Sequence, residues 1–183
     1  MKKIILSSAL AVTCLSLKAQ NVFTAIDSHD ALAVKFLLKN SNVDVNLKDA
    51  NGSTPLINAV KTGQDRIVKL LLEKDANIDI KDKSGQTALM YACSSKNTEE
   101  LYYIVSHYPN FDVQNNEGQT ALITAAAIGD ATAVKVLLAY GAKANFKDNQ
   151  DKSALDYARQ TQNADAINLL DGTVPANQKE TGK

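Results

Sequence analysis

One interval, 33 residues, constrains this chain more than any other feature in it. Gly52, Gly85, Gly118 and Asp151 are spaced by it, as are Thr54, Thr87, Thr120 and Ser153. Leu56, Leu89, Leu122 and Leu155 keep the same register, and so do Ala59, Ala92, Ala125 and Ala158. Later in each interval, Val68, Leu101, Val134 and Ile167 form a further column, and Leu71, Ile104, Leu137 and Leu170 another. A fixed period of this length marks one supersecondary unit repeated in tandem. Leu56 and Ala59 lie three apart, as do Val68 and Leu71, so each unit holds two helices with one apolar stripe apiece. Gly permits the tight turn before the first helix, Thr54 can accept from its exposed N–H groups, and Pro55 suits its first position. A single unit cannot bury its stripes. Stacked units bury them against one another, which requires more polar outer faces on the two end units.

The ends follow that requirement. Residues 21–47 lack the Gly-x-Thr-Pro turn, and residues 147–171 carry Asp151 for Gly and Ala154 for Pro, so both are expected to be caps. Val34, Phe36, Leu37 and Leu38 match Val68, Leu70, Leu71 and Leu72 at a spacing of 34, which places one extra residue between Asn40 and Asp44. The repeats then run over about 21–47, 48–80, 81–113, 114–146 and 147–171, and the nearly apolar-free stretch 172–183 is expected to be a flexible tail.

The run Asp49-Ala50-Asn51-Gly52-Ser53-Thr54-Pro55-Leu56-Ile57-Asn58-Ala59 resembles the ankyrin signature Asp-x-x-Gly-x-Thr-Pro-Leu-His-x-Ala. Asp82 to Leu89 and Asn115 to Leu122 repeat it, and the resemblance extends over about residues 21–171. It implies an all-α ankyrin-repeat solenoid of helix-turn-helix units joined by β-turn or hairpin fingers, acting as a non-catalytic protein–protein interaction module. Ile57, Met90, Ile123 and Asp156 stand where the family carries His, so the hydrogen-bond ladder which that His supplies is expected to be missing. After the second helix Gly141 fits a left-handed residue, whereas Asp75 and Tyr108 in the same column would be strained there by about 1–2 kcal/mol.

Met1-Lys2-Lys3 followed by the apolar stretch Ile4 to Leu17 has the form of a secretory signal, with cleavage expected after Ala19 or Gln20. That stretch is too short to span a bilayer as a helix. Loss of Lys2, Lys3 and Lys18 from a chain of zero formal charge would leave 17 basic against 20 acidic residues, a mildly acidic protein. Thr13 before Cys14 departs from a lipoprotein box, so no lipid anchor is expected at Cys14. Cys93 would then be the sole cysteine, and stability must come from packing rather than a disulfide. These features suggest export, to the periplasm of a Gram-negative bacterium or, alternatively, secretion.

Chemistry finds few candidates. Scattered Lys residues, with Arg66 and Arg159 the only arginines, offer no basic stripe for nucleic acid. His29 falls at a turn between helices, His107 in the last turn of a helix, and Cys93 at a small-residue position facing the stack, all read as structural. The turns beginning at Asp49 and Asp82 lack the later acidic ligands of a calcium loop, and no zinc spacing, phosphate loop or cofactor motif is present.

By the resemblance, a partner would lie on the fingers and the adjoining first helices. The matching positions include Lys48, Asn51, Ser53 and Lys61 in the second repeat, and Lys81, Lys83, Gln86 and Ser94 in the third. Gln114, Asn116, Glu117 and Gln119 follow in the fourth, and Lys147, Asn149 and Lys152 in the fifth. These residues are polar, without the Tyr, Trp or Arg that usually anchor an interface, although Lys48, Lys81, Lys83, Lys147 and Lys152 could form a basic edge. The competing face carries Tyr102 and Tyr108, with Tyr103 matched to the packed Leu70 and Val136. The expectation is a monomer that scaffolds another exported protein; a secreted effector engaging host proteins is the alternative, and an enzyme the least favoured reading.

Overall fold

The computed structural model describes residues 22–40 and 43–172. The expected signal with Cys14, and the tail after Gly172, lie outside them. Helices come in pairs: α1 over 22–27 with α2 Ala31–Asn40, and α3 Pro55–Lys61 with α4 Asp65–Leu72. Then follow α5 Ala88–Ser95 with α6 Thr98–Val105, α7 Ala121–Ile128 with α8 Ala131–Ala139, and α9 Ala154–Gln160 with α10 Ala164–Asp171. The described residues form no strand beyond an isolated antiparallel bridge between Lys147 and Ser153, and the class is all-α.

They fall into two compact units, one running to Asn77 and one starting at Ile78. In the first, α4 packs on both α2 and α3, and Val34, Leu56, Val68 and Leu71 are buried. In the second, α5, α7 and α9 pack in one row and α6, α8 and α10 in another, each first helix also touching its own second helix. The columns read from the period fill this core: Leu89, Leu122, Ile104, Leu137 and Leu170 are all at most 2% exposed.

Helix starts follow from single side chains. The Thr54, Thr87 and Thr120 hydroxyls accept from the N–H groups of Ile57, Met90 and Ile123 at 3.2, 3.4 and 3.4 Å. Such caps are each worth about 1 kcal/mol. In the last repeat Ser153 does the same for Asp156, whose carboxylate accepts from the Ser153 N–H at 2.9 Å, closing a capping box. Of the four residues at the family's His position, Asp156 thus serves its own helix, while Ile57, Met90 and Ile123 are buried apolar groups. Asn97, Asp130 and Asn163 cap the second helices. Gln64 of the same column does not; its longer amide donates instead to the Ile26 carbonyl at 2.9 Å.

Two columns of the repeat take the left-handed conformation. Between paired helices these are His29, Gly63, Lys96, Gly129 and Gln162, all at φ between 53° and 74°. After the second helix they are Asp75 at 57°, Tyr108 at 53° and Gly141 at 97°. The strain foreseen for Asp75 and Tyr108 is therefore present. Tyr108→Gly, which removes the Cβ responsible, is expected to stabilise the fold by about 1 kcal/mol, seen as a higher denaturant midpoint.

The first repeat departs from the expected polar outer face. Phe36 is 64% exposed, because no helix pair precedes α2 among the described residues to cover the side that Leu70 and Val136 present to neighbours, and Leu32 is 68% exposed at a position that the other repeats also leave to solvent.

Candidate binding surface

Each finger is built on one acidic or amide side chain. Asp82 Oδ1 accepts from the N–H groups of Ser84 and Gln86 at 2.8 and 3.0 Å, Asn115 Oδ1 from Glu117 and Gln119 at 2.9 Å, and Asp148 Oδ1 from Gln150 and Lys152 at 2.9 and 3.0 Å. The side chain thereby holds a turn that the backbone alone would leave open. Asp49 does the same in the first unit for Asn51 and Ser53, at 2.7 and 2.9 Å.

Within the second unit the fingers are bonded to one another. Asn116 donates from its N–H to the Ser84 carbonyl at 3.2 Å and from Nδ2 to the Lys83 carbonyl at 2.8 Å. Asn149 repeats both bonds one finger later, to Glu117 at 2.9 Å and Asn116 at 3.0 Å. Gln114 Nε2 adds a bond to the Lys147 carbonyl at 3.1 Å. Asn116, Asn149 and Gln114, placed by sequence among the partner-facing residues, therefore spend their amides on holding the fingers in register. The glycines make this approach possible: a Cβ on Gly85 would sit 2.6 Å from the Asn116 nitrogen, and one on Gly118 2.8 Å from the Asn149 nitrogen. Asp151, in the same column at φ 61°, is followed by no further finger among the described residues.

The remaining predicted residues divide by exposure. Lys81, Lys83, Ser94, Asn116, Glu117, Lys147 and Asn149 are exposed in the second unit, with Gln86, Gln114, Gln119 and Lys152 half-buried; Lys48, Asn51 and Lys61 are exposed in the first. Ser53 is a correction. It is 1% exposed, since its N–H and C=O both pair with Asp49 and fix it at the base of the turn rather than on its tip. Two lysines of the basic edge are also engaged within the chain: Lys147 Nζ pairs with Asp151 at 2.9 Å, and Lys152 Nζ sits 5.5 Å above the Tyr157 ring.

The surface is not free of aromatics, as the chosen positions had suggested. The Tyr91 hydroxyl donates to Asp82 Oδ2 at 2.8 Å and the Tyr157 hydroxyl to Asp148 Oδ2 at 2.6 Å, bracing finger against first helix. Asn58 makes the corresponding bond to Asp49 at 3.2 Å. Burial, then the bond and charge of Asp82, push the Tyr91 hydroxyl up to about 12. The 33-residue register contained this signal, because Asn58, Tyr91 and Tyr157 each stand nine residues after the finger's acid.

Desolvation alone would raise the Asp148 carboxyl, but bonds from Tyr157, Lys152 and Gln150, with the Lys152 charge, bring it below the ordinary value. A carboxyl lowered in the folded state contributes stability above its unfolded pKa of about 4, and this is lost as pH falls through the lowered value. Asp148→Asn should keep the turn, as Asn115 does, while flattening the loss of stability below about pH 4 in acid-denaturation curves.

On the competing face Tyr102 is 47% and Tyr108 85% exposed, while Tyr103 is half-buried with its ring 4.8 Å from that of His107. His107 Nδ1 lies 2.9 Å from the Tyr103 carbonyl, and His29 occupies its turn. Cys93 is fully buried; burial, helped by the Asp130 charge, raises its thiol far above the usual range and leaves it unreactive.

An array of paired helices joined by bonded turns, exposing polar side chains on a fixed backbone, defines a repeat-built binding module. Residues 22–115 and 95–178 match the family model described as Ankyrin repeats (3 copies), and the chain belongs to the ankyrin-repeat family. It is accordingly a protein–protein interaction module, of a family generally without catalysis. It is similar over 48 residues, at 48% identity, to Delta-latroinsectotoxin-Lt1a of Latrodectus tredecimguttatus, a match covering 26% of this chain and 4% of the toxin.

Proposed function

We propose that the chain is an exported, non-catalytic scaffold that binds an envelope protein in the periplasm of a Gram-negative bacterium and modulates or stabilises it. The carrying observation is the bonded row of fingers in the second unit, which holds Lys81, Lys83, Asn116 and Glu117 exposed on a backbone fixed before any partner arrives. A preformed surface avoids the ordering cost that a flexible loop would incur on binding. Burial of Cys93 and the structural placement of His29 and His107 support a role without catalysis.

The test is affinity capture from a native envelope extract with the wild-type chain and a triple variant, Lys81→Glu, Lys83→Glu and Lys147→Glu. One protein recovered by the wild type and lost by an equally folded variant supports the finger face. Equal recovery by both moves the site to the second reading, which rests on the exposure of Tyr102 and the strained Tyr108. In that case Tyr108→Gly should lose the partner while gaining stability. Finding the protein in the culture medium rather than the periplasm would favour a secreted effector over a scaffold.

A further inference from the structure

We infer that the outer face of α2 is a contact between two copies of this chain, paired antiparallel. Leu32 and Phe36 lie one turn apart on α2, 68% and 64% exposed, beside a shallow open groove between α1 and α2 lined also by Thr24, Ala25, Ser28 and Leu37. Leu32 stands in a column that the other repeats give to solvent: Arg66, Glu99, Thr132 and Asp165 are its counterparts, all exposed. Packing within the repeat therefore does not account for a leucine there. Next to Phe36 it makes a contiguous apolar stripe on a helix that nothing described covers, and such stripes mark association surfaces.

The occupant follows from the helix's own symmetry. A two-fold axis at the level of Val34 sets Leu32 on the partner's Phe36 and Phe36 on the partner's Leu32. The same axis brings Asp30, whose carboxylate caps α2, and Asp27 at the end of α1 toward the basic last turn at the partner's Lys39. Parallel pairing would instead oppose Asp30 to Asp30 and Lys39 to Lys39. Antiparallel α2 is thus self-complementary in both apolar and charged groups, as an isologous contact requires. The chain is then a dimer in place of the monomer expected from sequence.

Sedimentation equilibrium of the purified chain, up to millimolar concentration, tests this. The wild type is expected to self-associate reversibly, and Leu32→Lys and Phe36→Lys, measured separately, to weaken association roughly tenfold or more each. Both side chains are exposed, so at concentrations low enough to keep the wild type monomeric, circular dichroism and melting of the variants should match it. Lys39→Glu should weaken association at low salt and much less at high salt. A wild type that remains monomeric overturns the proposal, whether the face is solvated or covered by the residues before α1. Association unchanged in both lysine variants also overturns it, by placing the contact elsewhere.

Discussion

Leu122→Ala is expected to lower the free energy of unfolding by about 2–5 kcal/mol, the range for truncating a buried leucine where surrounding helices cannot close the gap. Leu122 is 1% exposed on α7, which packs on α5, α8 and α9 at once. None of these can move inward without leaving another neighbour, so most of the cavity should persist. Urea denaturation of the variant beside the wild type measures the difference. A loss below about 1 kcal/mol would mean that the site collapses or is not core.

Gly85→Ala should cost about 2–4 kcal/mol, from a left-handed backbone combined with overlap against the next finger. Its φ is 75°, and the new methyl would lie 2.6 Å from the Asn116 nitrogen and 2.9 Å from the Asn115 carbonyl carbon, both backbone atoms that cannot rotate away. Gly129→Ala supplies the control. Its φ of 74° is nearly the same, but the nearest atom stands at 3.6 Å, an ordinary contact, so only the conformational cost of about 1–2 kcal/mol applies. Equal losses in the two variants would show that finger contact is not what demands glycine at Gly85.

Much of this was legible from the 33-residue register. It located the caps at Thr54, Thr87, Thr120 and Ser153, the buried columns through Leu122 and Leu137, and the left-handed sites at Asp75 and Tyr108. Such features depend on a residue and its near neighbours in the chain, and the register repeats them. What it did not give depends on groups that meet only after stacking. Asn116 and Asn149 look like free surface amides until the preceding finger's carbonyls arrive beside them. Ser53 looks like a turn residue on a par with Gln86, yet it is buried. Phe36 shares a column with Leu70 and Val136, but exposure depends on whether a neighbouring helix pair exists, which no column records.

Asp151 carries one further implication, for how such a chain can lengthen. A repeat array grows by duplication of its units, and a copied unit inserted after this finger would place its own turn backbone where the Cβ of residue 151 now points, if it stacked as the fingers after Gly85 and Gly118 do. The new finger would collide with the old one until that position reverted to glycine. Duplication between Gly85 and Gly118 meets no such obstacle, because both already leave room for a follower. A single side chain thus biases the array to gain repeats between Gly85 and Gly118 rather than directly after Asp151.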